Sequence, residues 1–253
     1  IPELERFVRE KDLLDQDPTR PLKVRETPLY QRGVGALASV DAPGPYDPTR
    51  DTYYNVTPLD DFTPGQAESF LREYNDWMLQ ILNIHEAIPG HYTQLMHANK
   101  SKSLVKSVFG DGAMIEGWAV YTERVMQEQG FRGDDPLMRL VQLKWYLRAV
   151  TNAIMDSAIH VDGMTRDEAM QLMTVTGFQE EREAAGKWVR AQLTSVQLST
   201  YFVGYQEHSD LRAEAGRRLG DRFDLKRYHD QVLSYGSPPV RFVHALMFDE
   251  PIR

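Results

Sequence analysis

The sequence predicts a mainly α-helical protein with a small β-strand or hairpin region near residues 21–60. Over most of the chain, apolar residues recur with helical spacing in segments that glycines separate. Residues 21–62 are instead rich in proline, glycine and aspartate and contain short strand-like runs. We therefore expect one lobe over residues 1–253, with a strand- and loop-rich entry region at 1–62 and a helical region at 63–253.

Caps and residue preferences suggest the individual elements in chain order. Residues 1–20 indicate a short helix that ends in Asp-Pro-Thr-Arg. The run 51–57 is the best strand candidate, because it is rich in aromatic and β-branched residues. Pro64 suits a first helical position with Thr63 as its cap, and Thr165 and Glu168 form the pattern of a capping box. The periodicity predicts helices near 64–87, 90–107, 112–129, 136–161, 166–174, 178–193, 195–219 and 224–234.

The composition excludes several kinds of partner and chemistry. The net charge of −8 argues against nucleic acid as the main partner, because phosphate binding needs clustered lysine and arginine. No apolar run approaches the roughly 18 residues of a membrane-spanning helix, so no membrane span is expected. The absence of cysteine excludes disulfides, thiolate ligands and a cysteine nucleophile. The remaining composition is typical of an ordinary soluble globular protein.

The segment His85-Glu86-Ala87-Ile88-Pro89-Gly90-His91 has the residue types of a zinc site. Neutral imidazoles are good zinc ligands, and a neighbouring carboxylate that does not bind the metal can take a proton from activated water. The segment is a stretched version of the H-E-x-x-H helix of zinc proteases, with two residues inserted before the second histidine. It predicts Zn²⁺ as the cofactor and Glu86 as a general base.

The six-residue spacing would separate His85 and His91 by roughly 120° on an unbroken helix, against about 40° in the regular motif. Pro89 has no N–H for the carbonyl of His85, and Gly90 tolerates unusual dihedral angles. We expect the helix to widen or bulge at 87–90, which would bring the two histidines together. The alternative is a pair of surface histidines around a helix break.

Other polar residues have the spacing to support such a site. Glu116 lies on a helix with an apolar side, where a buried carboxylate would be costly without a partner such as a metal. Glu123 returns to nearly the same face and either supports a ligand histidine or is a solvated charge. Arg148, Asn152, Asp156 and His160 recur every four residues, which indicates either a solvated face or a buried polar site. In the second case His160 would stabilise an oxyanion, with Asp156 fixing its tautomer.

These motifs resemble the bacterial domain-of-unknown-function 885 (DUF885) family, which is grouped with gluzincin-type zinc metallopeptidases. The resemblance is to the carboxy-terminal half of family members, and it covers most of the chain. Its specific parts are HEAIPGH at 85–91 and EGWAVYTE at 116–123; supporting motifs follow at 156–160, 197–201 and 223–233.

The resemblance implies a zincin-like helical metallopeptidase lobe. In it His85, His91 and Glu116 would bind zinc, and Glu86 would be the base. Tyr201 matches the family's tyrosine and is the preferred oxyanion donor, with Gln197 in support; ordinary aromatic packing is the alternative for Tyr201. Family members are longer, so an amino-terminal helical half is expected on the same chain or on a separate one. A bacterial cytoplasmic, periplasmic or secreted location stays open.

The sequence thus predicts zinc-dependent hydrolysis of peptide bonds. The alternatives are hydrolysis of a small non-peptide amide by the same chemistry, and a helical lobe without activity within a larger assembly. Residues 52–57 are interpreted as an edge strand beside the cleft, where a peptide substrate could add as a further strand through Tyr53, Tyr54 and Asn55. A plain surface hairpin is the other interpretation of these residues.

Overall fold

The computed structural model describes residues 1–17, 19–32, 37–47, 49–101, 103–133 and 135–252. Helices dominate these residues, and the strands form one small sheet. The prediction of a mainly helical chain with a β region between residues 21 and 60 is therefore confirmed. The helices are α1 Pro2–Glu10, α2 Pro64–Glu73, α3 Asp76–Glu86, α4 His91–Ala98, α5 Leu104–Val108, α6 Gly112–Glu128, α7 Pro136–Ser157, α8 Arg166–Gln171, α9 Glu181–Leu193, α10 Thr200–Leu219, α11 Leu225–Ser234 and α12 Val240–Met247.

The sheet contains three strands in the order β1-β3-β2, where β1 is Leu22–Glu26, β2 is Ala38–Asp41 and β3 is Thr52–Val56. Strand β3 pairs in parallel with β1 on one side and antiparallel with β2 on the other. The predicted strand at 52–57 is present, but its interpretation as an edge strand is wrong. Both of its edges are hydrogen-bonded within the sheet, so no substrate can add there.

The three side chains assigned to substrate binding on β3 stabilise the sheet instead. The Tyr54 hydroxyl donates to Asn83 Oδ1 at 2.6 Å, which fastens the sheet to α3. Asn55 is buried and accepts a hydrogen bond from Arg25 Nε at 2.7 Å. The guanidinium of Arg25 also lies 3.8 Å from the centre of the Tyr53 ring. These contacts hold the three side chains within the sheet, so the predicted addition of substrate as a further strand through Tyr53, Tyr54 and Asn55 is not supported.

Several helices are shorter than predicted, because a residue inside the predicted range caps the start of a new helix. The helix predicted at 64–87 is divided at Asn75, whose side chain accepts a hydrogen bond from Met78 N and starts α3. The helix predicted at 90–107 ends at Ala98, and Ser103 caps the short α5. The capping box predicted at Thr165 is present at the start of α8.

Helix α6 is the centre of the core. Trp118 is fully buried, and its Nε1 donates to the carbonyl of Pro89 at 2.9 Å. This bond joins α6 to the segment between α3 and α4. On another side α6 crosses α10 at Gly117 and Gly204, where a Cβ built on Gly204 would lie 2.0 Å from the carbonyl oxygen of Ala113. The two backbones are therefore in direct contact. Among the described residues, no helix has the length and apolar character to cross a membrane.

Candidate metal centre

The segment from Glu86 to His91 is a break between two helices. Helix α3 ends at Glu86, α4 begins at His91, and Gly90 N donates to the carbonyl of Ile84 at 3.0 Å across the gap. Ile88 N also donates to the carbonyl of Asn83 at 3.3 Å, so the hydrogen bonds widen as expected, and regular helical bonding is interrupted from 87 to 90 because Pro89 has no N–H to donate. The expected consequence is observed, since the His85 and His91 ring centres lie 4.7 Å apart.

Only glycine fits at position 90. A Cβ there would lie 1.9 Å from the carbonyl oxygen of His85 and 2.4 Å from that of Ile84, and both are backbone atoms that cannot rotate away. We expect Gly90→Ala to reduce the free energy of unfolding by at least about 2 kcal/mol, because the backbone between the histidines must move. Urea denaturation measures this change.

Gly65→Ala is the matched control, because a Cβ at this helical position meets nothing within 4 Å. It should leave stability unchanged or slightly raise it, since alanine is the better helix former. Equal stability of the two variants would contradict a packing requirement at Gly90.

His85, His91 and Glu116 converge on one point. Glu116 Oε2 lies 3.2 Å from His91 Nε2 and 3.6 Å from His85 Nε2. Two ligand atoms about 2.0–2.1 Å from a tetrahedral zinc ion are about 3.3 Å apart, so these spacings match a shared cation. Glu116 Oε2 is also buried without a hydrogen-bond partner among the described residues. A divalent cation would satisfy this oxygen.

Glu86 belongs to the same group. His85, Glu86 and His91 each offer a ligand atom within 4.8 Å of the other two. Burial raises the pKa of Glu86, while the two nearby imidazoles oppose the rise. Glu116 Oε2 lies near both Nε2 atoms, so Glu116 could be the third ligand of a cation, and Glu86 would then be free to accept a proton.

Glu123 fixes the orientation of His85. Its Oε1 lies 2.7 Å from His85 Nδ1 and accepts a second hydrogen bond from Trp145 Nε1 at 2.9 Å. A proton on Nδ1 leaves the Nε2 lone pair facing Glu116, which is the tautomer that a metal ligand needs. The structure thus places Glu123 behind His85 and excludes the alternative of a solvated charge, because the side chain is fully buried.

The electrostatics of the group favour a cation at its centre. Burial lowers the pKa of His85, but the nearby carboxylates of Glu116 and Glu123 outweigh burial and raise it to about 10. Burial likewise acts against ionisation of Glu116, yet His91 and His85 together lower its pKa below the usual range. Positive charge is therefore stabilised between these side chains, whether a proton or a metal ion carries it.

Tyr201 is positioned by a hydrogen-bond network that includes Glu116. Its hydroxyl oxygen accepts from Arg190 Nη2 at 2.9 Å and from Gln197 Nε2 at 3.2 Å. Gln197 Nε2 also donates to Glu116 Oε1 at 3.3 Å. A tyrosine oxygen has two lone pairs, so its own O–H stays available to donate. The Tyr201 ring stacks at 6.2 Å from that of His85.

His160 and Asp156 are not brought to this point. Asp156 accepts hydrogen bonds from Val196 N at 3.1 Å and from Ser199 N at 3.0 Å. His160 Nε2 lies 2.8 Å from the carbonyl of Thr194 and 3.7 Å from Asp156 Oδ1. The expected tautomer-fixing bond is therefore not formed. The two residues instead hold the segment before α10, so the oxyanion role predicted for His160 is not supported.

A cavity beside the candidate metal centre contains residues that sequence reasoning missed. His85, Glu86 and Tyr201 line it, together with Lys187 and Arg190 of α9. Arg148 and Asn152 of the predicted polar stripe also line it, so in this part the stripe is a buried polar site and not a solvated face. The spacing along the sequence could have indicated that Lys187 is buried, because it shares one face of α9 with the buried Ala184 and Ala191.

The fold and these side chains together define a mainly helical protein with a buried candidate site for a divalent cation. Comparison with known families identifies the family to which the chain belongs. A family model described as "Bacterial protein of unknown function (DUF885)" matches residues 1–247. The chain belongs to the DUF885 family, which confirms the family resemblance of its motifs.

Two solved structures share the fold. A "putative lipoprotein of unknown function" from Shewanella oneidensis is 55% identical, with a TM-score of 0.87 over 98% of this chain and 44% of its own. A "putative lipoprotein" from Colwellia psychrerythraea is 24% identical, with a TM-score of 0.84 over 98% of this chain and 42% of its own. The chain thus spans less than half the length of either protein. Comparison with curated proteins gave no match.

Proposed function

We propose that this protein is a zinc-dependent peptidase of the gluzincin type, with a zincin-like helical lobe. The proposal rests on one observation: Glu116 Oε2 lies within 3.6 Å of both His85 Nε2 and His91 Nε2 and has no hydrogen-bond partner among the described residues. Two histidines and one glutamate are a common ligand set of catalytic zinc, and this set leaves a fourth position for water.

Each side chain then has a distinct task. Zinc held by His85, His91 and Glu116 would supply the Lewis acidity for water activation and carbonyl polarisation. Glu86 accepts the proton of the attacking water and passes it to the leaving amine. Tyr201 donates its free O–H to the oxygen on which negative charge develops. Glu123 keeps the His85 imidazole in the orientation that zinc binding needs.

Peptides and small amides would be hydrolysed by the same chemistry, so the site geometry favours neither by itself. A panel of peptides blocked at the amino end, at the carboxyl end or at both, together with small amides, separates these substrate classes.

We also propose that the site belongs to the carboxy-terminal half of longer DUF885 proteins, with a helical amino-terminal half as its partner. The two solved relatives are more than twice the length of the part matched here, which supports further sequence beside this lobe in longer members of the family.

Metal analysis tests the ligand set directly. We expect about one zinc ion per chain after reconstitution at neutral pH, and a lower melting temperature after chelation, because a ligand that binds only the folded state stabilises it. His91→Ala should weaken zinc binding by more than about 100-fold, since even residues that merely orient ligands contribute about 10–100-fold.

His97→Ala is the matched control on the same helix α4, because His97 Nε2 contacts the carbonyl of Asp15 and lies outside the ligand group. Zinc in fewer than about half of the reconstituted molecules would instead favour a helical lobe without catalytic activity.

A further inference from the structure

Helix α9 contributes an unusual lysine to the cavity beside the candidate metal centre. Lys187 is only 5% exposed. Within the described ranges, its ammonium group makes no hydrogen bond and no ion pair within 4.0 Å. Buried lysines are rare unless they are paired, because an unsatisfied ammonium loses its hydration without compensation. Burial, reinforced by the nearby Arg148, holds the pKa of Lys187 well below its usual value.

The carboxylates closest to this lysine are already occupied. Glu73 accepts from Lys144 Nζ at 2.8 Å and lies 3.4 Å from Arg148 Nη1. Glu183 pairs with Arg148 and accepts from the Tyr74 hydroxyl at 3.1 Å. Each of these acids therefore has partners other than Lys187. The charges of Glu183 and Glu73 act on Lys187, but neither carboxylate forms an ion pair with it within 4.0 Å in the described part of the chain.

Arg190 is a second basic side chain that forms no ion pair with a carboxylate of the described residues. It lies one turn from Lys187 on α9, and both residues line the cavity that contains His85 and Glu86. Its Nη2 donates to two neutral acceptors, Gln197 Oε1 at 2.8 Å and the Tyr201 hydroxyl at 2.9 Å. No ion pair of Arg190 is formed in the part of the chain that the structure describes. Two basic side chains thus line one cavity, and among the described residues neither forms an ion pair with a carboxylate within 4.0 Å.

We propose that Lys187 and Arg190 form a subsite that binds a free carboxylate of the substrate. A carboxylate accepts strong, charge-assisted hydrogen bonds from ammonium and guanidinium groups, and it would satisfy the buried lysine. This inference rests on the proposed peptidase function and narrows its substrate class. A peptide bound by its terminal carboxylate presents a bond near its carboxyl end to Glu86, so the expected activity is that of a carboxypeptidase or dipeptidase. An acidic side chain of the substrate is the other possible source of this carboxylate.

Three blocked peptides distinguish these sources: N-acetyl-alanyl-alanine, its carboxy-terminal amide, and N-acetyl-alanyl-glutamic acid amide. Binding is measured by calorimetry on the zinc-free protein, and hydrolysis is measured on the zinc-loaded protein. We expect the free terminal acid to bind at least about 10-fold more tightly than its amide, because a charge-assisted hydrogen bond contributes more than a neutral one. Preference for the glutamic acid amide over the neutral amide would assign the subsite to an acidic side chain.

Lys187→Met removes the charge and keeps the length of the side chain. It should eliminate the preference for the free acid without loss of thermal stability, because an unpaired buried charge is replaced by an apolar group. Lys187→Arg should restore part of the preference. Lys100→Met is the control, since Lys100 is exposed and pairs with Asp17 at 2.9 Å outside the cavity.

The two proposals fail in different ways. Equal binding of acid and amide by the wild-type protein, or a preference that persists in Lys187→Met, would overturn the carboxylate subsite even if peptides are hydrolysed. A carboxylate preference that depends on Lys187 in a protein that hydrolyses no peptide would support the subsite and contradict the peptidase function.

Discussion

Glu86→Gln should retain zinc but lose turnover by about 10²–10⁴-fold, which is the usual contribution of a general base. The amide has nearly the shape of the carboxylate but cannot accept a proton. Burial already raises the pKa of Glu86, and the backbone amide of Val40 on β2 lies close enough to favour the ionised form. Glutamine can keep this polar contact, so the fold and the ligand set should survive. Zinc content and kcat, measured on the same sample, separate the two effects.

Glu128→Gln is the control for the same chemical change at another site. Glu128 pairs with Arg124 at 3.0 Å and with Arg212 at 2.8 Å, outside the ligand group. It should retain both zinc and activity. A Glu86→Gln protein that keeps more than about a tenth of wild-type activity would refute the assignment of Glu86, because general bases contribute at least about 100-fold.

Tyr201→Phe should lower kcat by about 10²–10³-fold, as expected when one donor to a developing oxyanion is removed. The directions of the hydrogen bonds at the Tyr201 hydroxyl support this expectation. Arg190 and Gln197 both donate to the Tyr201 oxygen, which directs the remaining O–H proton elsewhere. Because that proton serves the transition state more than the bound substrate, KM should change much less than kcat. Steady-state kinetics on the best peptide of the panel measures both constants.

The control is Tyr205→Phe, one turn further along α10. The Tyr205 ring packs 4.8 Å from that of Tyr146, as ordinary aromatic packing requires. Zinc content should be equal in both variants and in the wild type. A Tyr201→Phe enzyme with unchanged kcat would show that the hydroxyl has only a structural role.

The convergence of the candidate ligand side chains could be predicted from sequence because its signals are local. Pro89 and Gly90 interrupt the helix whatever surrounds them, and His85 and His91 are close along the chain. Glu116 could be identified from the sequence because a carboxylate on an apolar helix face needs a partner. The size of the interruption was not predictable, since it depends on the bond between Trp118 and the carbonyl of Pro89, which forms only after α6 has packed.

The cavity and the order of strands in the sheet were harder to predict from the sequence, because both depend on contacts between distant segments. Periodicity shows that Lys187 shares a face with two alanines, but not that α9 lies beside His85. The net charge of −8 likewise gives no indication that several basic side chains line one cavity. The central position of β3 comes from its parallel pairing with β1, which a strand pattern does not reveal.

The close approach of Gly117 and Gly204 has a mechanical consequence. With no side chain between the two backbones, the helices cannot slide or roll past each other without a steric clash. Glu116 precedes one of these glycines and Tyr201 lies one turn before the other, so both side chains belong to a single stiff frame. Any substrate of the proposed peptidase would therefore meet the Glu116 carboxylate and the Tyr201 hydroxyl at a fixed separation.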